Sequence, residues 1–299
     1  MRLWTIAAAV VAASPLAFAP VTVHAAAPTA ETPRERMSVV VEGRGPDVIL
    51  VPGLASSREV WSDLAARLRR THRVHLVQIA GFAGVPAGPA ANGKVAAPVA
   101  DAIADYIRRE RLKGPTVIGH SLGGEVGLML AARYPGSVGR LMIVDALPFY
   151  SLLFDPAATV EKVEARAVAF RDAMIGASVQ QAEAMQAAAI ARLVRSEAAR
   201  PALVEMSRRS DRAVVANAAF ELMTTDLRPE LGRIGVPVEV VYAYHAEYGV
   251  PPTATDTLFR NAYSGLAGAR FRRIDDSYHF VMLDRPEPFA AAVAAFLAE

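Results

Sequence analysis

The stretch that most constrains this chain is Gly119-His120-Ser121-Leu122-Gly123, set between a short apolar run at 116–118 and an apolar segment with helical spacing at 125–133. The run reads as a buried strand and the segment after it as a packed helix. Ser121 then falls on a tight strand-to-helix turn. Glycine on both sides, lacking Cβ, lets strand and helix approach closely around one strained residue. A serine hydroxyl is a weak nucleophile until it is held clear of its backbone and beside a base. The N–H groups at the start of the helix favour negative charge developing next to it.

This strand, Gly-x-Ser-x-Gly turn and helix resemble the nucleophile elbow of the α/β-hydrolase superfamily. The resemblance implies an α/β fold with a mostly parallel, doubly wound sheet, a Ser-His-acid triad and a helical lid inserted in the core. The rest of the chain reads compatibly. Strands are expected at 37–42 and 47–51, adjacent and joined by a tight Gly43-Arg44-Gly45-Pro46 turn, then at 74–79 and 141–145, with a helix at 99–111. From 148 to 228 there is no strand signal, only helix formers rich in Ala and Met at 160–175, 179–195, 198–208 and 213–223. Strand patterning resumes at 236–244 and 269–274, with helices at 253–263 and 286–297. The expected division is a core at 37–148 and 229–299 and a lid at 149–228. Met174, Met185, Met206 and Met223 are either core filler or an adaptable apolar lining.

Acyl transfer needs a base that removes the Ser121 proton and returns it to the leaving group, a task suited to histidine. Of six histidines, His24 lies near the N-terminus, His72 and His75 at the start of a strand, His120 in the elbow and His245 before Glu247. His279 follows the last expected strand, which matches the superfamily order of Ser, acid, His. The acid has two candidates. The usual loop after the strand at 238–244 offers Glu247 in an irregular register; the end of the strand at 141–145 offers Asp145. From the resemblance, the backbone N–H groups of Leu54 and Leu122 are the expected oxyanion donors. Pro52 stands where relatives usually carry His, while Gly53 is kept. Gly53, Phe82 and His120 are the expected substrate contacts.

A net charge of +2 over 299 residues, with no Lys/Arg block or aromatic-basic stripe, gives no footprint for nucleic acid. The absence of cysteine excludes thiol catalysis, thiolate metal sites and disulfides. The histidines lack ligand spacing and the first strand has no dinucleotide-binding glycine pattern, so no metal or cofactor is expected. Residues 1–25 combine Arg2, an apolar run at 4–13 and a small-x-small site at Val23-His24-Ala25, which reads as a secretory signal peptide followed by a flexible leader at 26–36. Pro15 and Pro20 interrupt the ~20 apolar residues that a membrane span requires. The expected product is periplasmic or secreted, with no stable membrane anchor after processing.

Together these features point to an exported serine hydrolase that cleaves an ester or related acyl bond of a small, apolar molecule. Lactonase, carbon–carbon bond hydrolase and perhydrolase chemistry would use the same residues, and a nucleophile of Ser rather than Asp disfavours a haloalkane dehalogenase. A binding protein that keeps the fold without the chemistry is the rival from another class, motivated by the lack of an acid at the usual position.

Overall fold

Runs such as Val48-Ile49-Leu50-Val51, apolar at every position, are satisfied only in a strand covered on both faces, and all four side chains are fully buried. The computed structural model, which describes residues 36–298, gathers such runs into one seven-stranded sheet. Its strands are β1 (Met37–Gly43), β2 (Asp47–Val51), β3 (Arg73–Ile79), β4 (Thr116–His120), β5 (Arg140–Val144), β6 (Val238–Tyr244) and β7 (Arg270–Asp275). Their order across the sheet is β1-β3-β2-β4-β5-β6-β7, with β1 antiparallel to β3 and the remaining pairs parallel. This is the expected α/β-hydrolase architecture.

One expectation is corrected. The first two strands are not neighbours, because β3 lies between them. Gly43 and Gly45 both take positive φ, +76° and +127°, and pack so closely on the backbone of residues 69–72 that neither site has room for a Cβ. The turn therefore carries the chain past the start of β3 instead of closing a hairpin.

Helices cover both faces. On one lie α2 (Ala96–Arg109), α3 (Leu122–Arg133) and α8 (Pro252–Ala262), and on the other α1 (Ser62–Leu68) and α10 (Pro286–Leu297), with the short α9 (Val281–Asp284) before it. Neighbouring strand residues divide between the two cores, Ile49 and Val117 to the first, Leu50 and Ile118 to the second, as the two-residue repeat of a strand demands.

The insertion between β5 and β6 holds α4 (Val160–Gly176), α5 (Val179–Leu193), α6 (Arg200–Arg208) and α7 (Arg212–Thr224). They are unequal. α7 buries Val214, Val215, Ala218 and Leu222 in the same core as α2 and α3. Its Glu221 carboxylate accepts the N–H groups of Val95, Ala96 and Ala97 at 2.6, 2.8 and 3.0 Å, stopping the free donors at the start of α2. In contrast, α4 buries only Ala167 and α5 only Ile190, and Phe170, Ile175, Val179 and Met185 are exposed. Residues 1–35, on which the signal-peptide and leader expectations fall, lie outside the described residues. Among the described residues no helix is long and apolar enough to cross a membrane.

Candidate active site

The turn between β4 and α3 places Ser121 at φ 54°, ψ −120°, a conformation rarely occupied by a residue with a side chain. The surroundings over-determine it. Ser121 N–H donates to Val144 O on β5 at 2.9 Å, and Ser121 O accepts from Gly124 and Glu125 N–H at 2.7 and 3.2 Å. A Cβ on Gly119 would run into Gly123 O, and one on Gly123 into Val51 O. The two flanking glycines are thus required by close backbone approach, as the sequence pattern suggested.

His279 sits in the loop between β7 and α9, and its Nδ1–H donates to Asp145 Oδ2 at 2.7 Å. Asp145 ends β5 in a left-handed conformation, φ 48°, with its own N–H on Val241 O at 2.7 Å. Its Oδ1 accepts the N–H of Ala243 at 2.9 Å, so one carboxylate oxygen is fixed by β6 while the other faces the imidazole. With the proton on Nδ1, Nε2 carries the lone pair needed by a base. Ser121 Oγ makes no hydrogen bond among the described residues; such contacts commonly tighten only around bound substrate.

Of the two acid candidates, the fold brings only Asp145 to His279. Glu247 lies in a three-residue turn after β6, with its side chain 71% exposed, and accepts a hydrogen bond from Tyr278 OH. The shortest route to a usable acid is therefore the end of β5.

The N–H groups of Leu54, in the loop after β2, and Leu122, at the first position of α3, have no protein partner among the described residues. Donors at a helix start are left free by the geometry of the helix itself. The loop is drawn close to the elbow because Gly53 has no side chain: a Cβ there would lie 3.1 Å from Ser121 Cβ and 2.9 Å from His120 Nδ1.

The expected substrate contacts fare differently. Gly53 borders Ser121 through its backbone, but Phe82 and His120 are fully buried and present no surface to a ligand. Phe82 belongs to the core cluster that also holds Ile79 and Val214 because its loop turns inward, with Phe82 N–H on Ile79 O and Val85 N–H on Phe82 O. His120, the last residue of a central strand, points to the opposite face from its neighbours and packs on Trp61, His279 and Phe280. Burial, and next the adjacent His279, push its pKa well below the usual imidazole value.

Among the buried acids that the sequence analysis does not single out, two lie on the α2–α3 side of the sheet. Glu221 is the clamp on α2 described above. Glu125, in the first turn of α3, is fully buried, and among the described residues neither carboxylate oxygen has a partner. Burial, then repulsion from Glu221, raise its pKa well above the usual carboxylate value, so it holds its proton. The signal available in sequence was a single acid inside an apolar helical run, Glu125 before Val126-Gly127-Leu128 and Glu221 after Ala218-Ala219-Phe220. In the turn after β6, Tyr248 stacks on Tyr278, the residue before His279, with ring centroids 5.8 Å apart.

Comparison with known proteins places this geometry in context. Residues 48–292 match the alpha/beta hydrolase family. A pimeloyl-[acyl-carrier protein] methyl ester esterase of Aromatoleum aromaticum is 28% identical over 256 residues, spanning 83% of this chain and 96% of the relative. Among solved structures, the enol-lactonase of Burkholderia xenovorans has a TM-score of 0.71 at 20% identity, covering 88% of this chain and 96% of that one. An esterase of Exiguobacterium antarcticum has the same TM-score at 19% identity, with 88% and 96% covered.

Proposed function

The chain belongs to the alpha/beta hydrolase family and is a hydrolase, and from that premise we propose that it acts on esters or lactones with Ser121, His279 and Asp145 as its catalytic triad. The observation that carries the proposal is the 2.7 Å bond from His279 Nδ1–H to an Asp145 carboxylate already anchored by β6. It fixes the imidazole tautomer and stabilises the imidazolium formed in the reaction.

In this reading His279 Nε2 takes the Ser121 proton as Oγ attacks the substrate carbonyl. The tetrahedral oxyanion is met by the N–H groups of Leu54 and Leu122, which require no reorganisation when charge develops. Collapse expels the alcohol, protonated by His279, and leaves an acyl group on Ser121. Water, deprotonated by the same imidazole, then releases the acid. A lactone follows the same path, its alcohol and acid remaining in one molecule.

Leu54, partly exposed in the loop that borders Ser121, supports a small, apolar acyl substrate. Export to the periplasm or beyond is supported by the sequence of residues 1–25, which has the composition of a signal peptide. The rival reading, a binding protein without chemistry, drew on the missing acid after β6; Asp145 on His279 removes that motive. The test is hydrolysis of a panel of short-chain p-nitrophenyl esters and γ- and δ-lactones by the purified protein beside Ser121→Ala. Turnover of at least one class, lost in the variant, is expected. Turnover that survives in Ser121→Ala would overturn the assignment.

A further inference from the structure

His120 is adjacent to the nucleophile in sequence yet faces away from it, and its ring occupies the junction of the three segments that must be in register for acyl transfer. Its Nε2 lies 3.0 Å from the backbone carbonyl of His279. A carbonyl oxygen only accepts, so Nε2 carries the proton and Nδ1 the lone pair. That Nδ1 is buried without a hydrogen-bond partner among the described residues and faces Gly53, where a Cβ would lie 2.9 Å away. The ring is fully buried, with its centroid 4.5 Å from that of His279, 4.9 Å from Phe280 and 6.4 Å from Trp61 in an edge-on arrangement.

We propose that His120 is a positioning residue that ties the backbone of His279 to the elbow strand and keeps the loop carrying Gly53 and Leu54 against the same ring. The proposal rests on the catalytic reading of Ser121 and His279 given above. A leucine or phenylalanine would fill this space without leaving a buried acceptor unpaired. The polar ring is instead oriented by one bond, and that bond lands on the peptide of His279 itself. Other backbone links of this loop run elsewhere: Phe280 N–H to Leu193 O at the end of α5, Ser277 N–H to Tyr244 O at the end of β6, Tyr278 N–H to the Asp284 carboxylate, and the Arg195 guanidinium to Asp276 O. His279 O also accepts Val281 N–H, which is local to the loop. Among the described residues, His120 thus makes the hydrogen bond that joins the strand delivering the nucleophile to the residue delivering the base. Since a misplacement of about 1 Å between reacting groups can cost on the order of 10²-fold in rate, a tie at this point affects turnover more than substrate binding.

The experiment compares wild type with His120→Gln, His120→Asn and His120→Leu. Glutamine extends an amide N–H toward the place of Nε2, asparagine stops near Nδ1, and leucine fills the space with no donor. Two readouts are used: the rate of adduct formation at Ser121 with a fluorophosphonate probe, and kcat and KM on p-nitrophenyl acetate. The expected order is wild type, then Gln within a few-fold, then Asn and Leu lower by on the order of 10²-fold in kcat and adduct rate, with KM little changed. A thermal melt accompanies each variant; should His120→Leu not fold, the Gln–Asn pair carries the comparison, since both are polar and differ in reach. Equal rates for Gln and Asn, or a folded Leu variant as reactive as wild type, overturn the proposal. A wild-type protein that forms no adduct at Ser121 overturns the catalytic reading itself, and the positioning role with it.

Discussion

The segments that follow β5 and β6 each carry a carboxylate that the sequence offers as the acid, and they differ in how much of the fold holds it. Asp145 stands in a left-handed backbone conformation locked by Val241 O, with one oxygen bound to Ala243 N–H and the other to His279. Glu247 sits on an exposed turn, where it accepts from Tyr278 OH and lies 3.9 Å from His245 Nδ1. A triad acid must be oriented before the reaction begins, and a backbone N–H from a central strand does that with no side-chain freedom to lose. The position of the acid here therefore follows from rigidity as well as proximity.

The largest effect is expected from breaking the rigid side. Asp145→Asn keeps the shape but offers His279 Nδ1 a group that can turn its NH₂ toward it, which favours the wrong tautomer. A fall in kcat on the order of 10³–10⁴-fold, with KM similar to wild type, is expected in steady-state ester hydrolysis.

A second carboxylate sharpens the contrast from the other extreme. Glu125 is buried like a structural group but meets no donor among the described residues. Its raised pKa means that the folded protein keeps a proton the unfolded chain releases above about its ordinary value of 4.5. Stability from this group is therefore full below that value and falls as pH rises toward the folded pKa. Glu125→Gln, which cannot ionise, is expected to melt progressively higher than wild type as the pH of the melt is raised from 5 to 8. A gap that is constant with pH would show that Glu125 is not protonated in the fold.

Much of the architecture was legible because it is local. The glycines at 119 and 123 announce the elbow, and continuous apolar runs announce strands buried on both faces. The four helices of the insertion follow from composition and spacing. What escaped the sequence is decided by register between distant segments. Asp145 and Glu247 are equivalent as residues and become different only when β6 lays Ala243 N–H beside one of them. His120 and Phe82 looked like site residues by proximity in the chain, yet strand alternation turns His120 to the far face and a tight loop turns Phe82 into the core. The β1–β2 pairing failed for the same kind of reason, since positive-φ glycines set against residues 69–72 divert a turn that composition reads as a hairpin.

The smallest effect is expected on the exposed side. Glu247→Gln keeps an oxygen that can accept from Tyr278 and removes a charge already in water, so kcat and the melting temperature are expected to stay within about twofold and about 1–2 °C of wild type.

The central claim, that Asp145 and His279 activate Ser121, is tested most directly by locating and timing a fluorophosphonate adduct in wild type, Asp145→Asn and Glu247→Gln by peptide mass. The account predicts an adduct on the peptide carrying Ser121, forming much more slowly in Asp145→Asn and at the wild-type rate in Glu247→Gln. An adduct elsewhere, or a rate that collapses with Glu247 and not with Asp145, would contradict it.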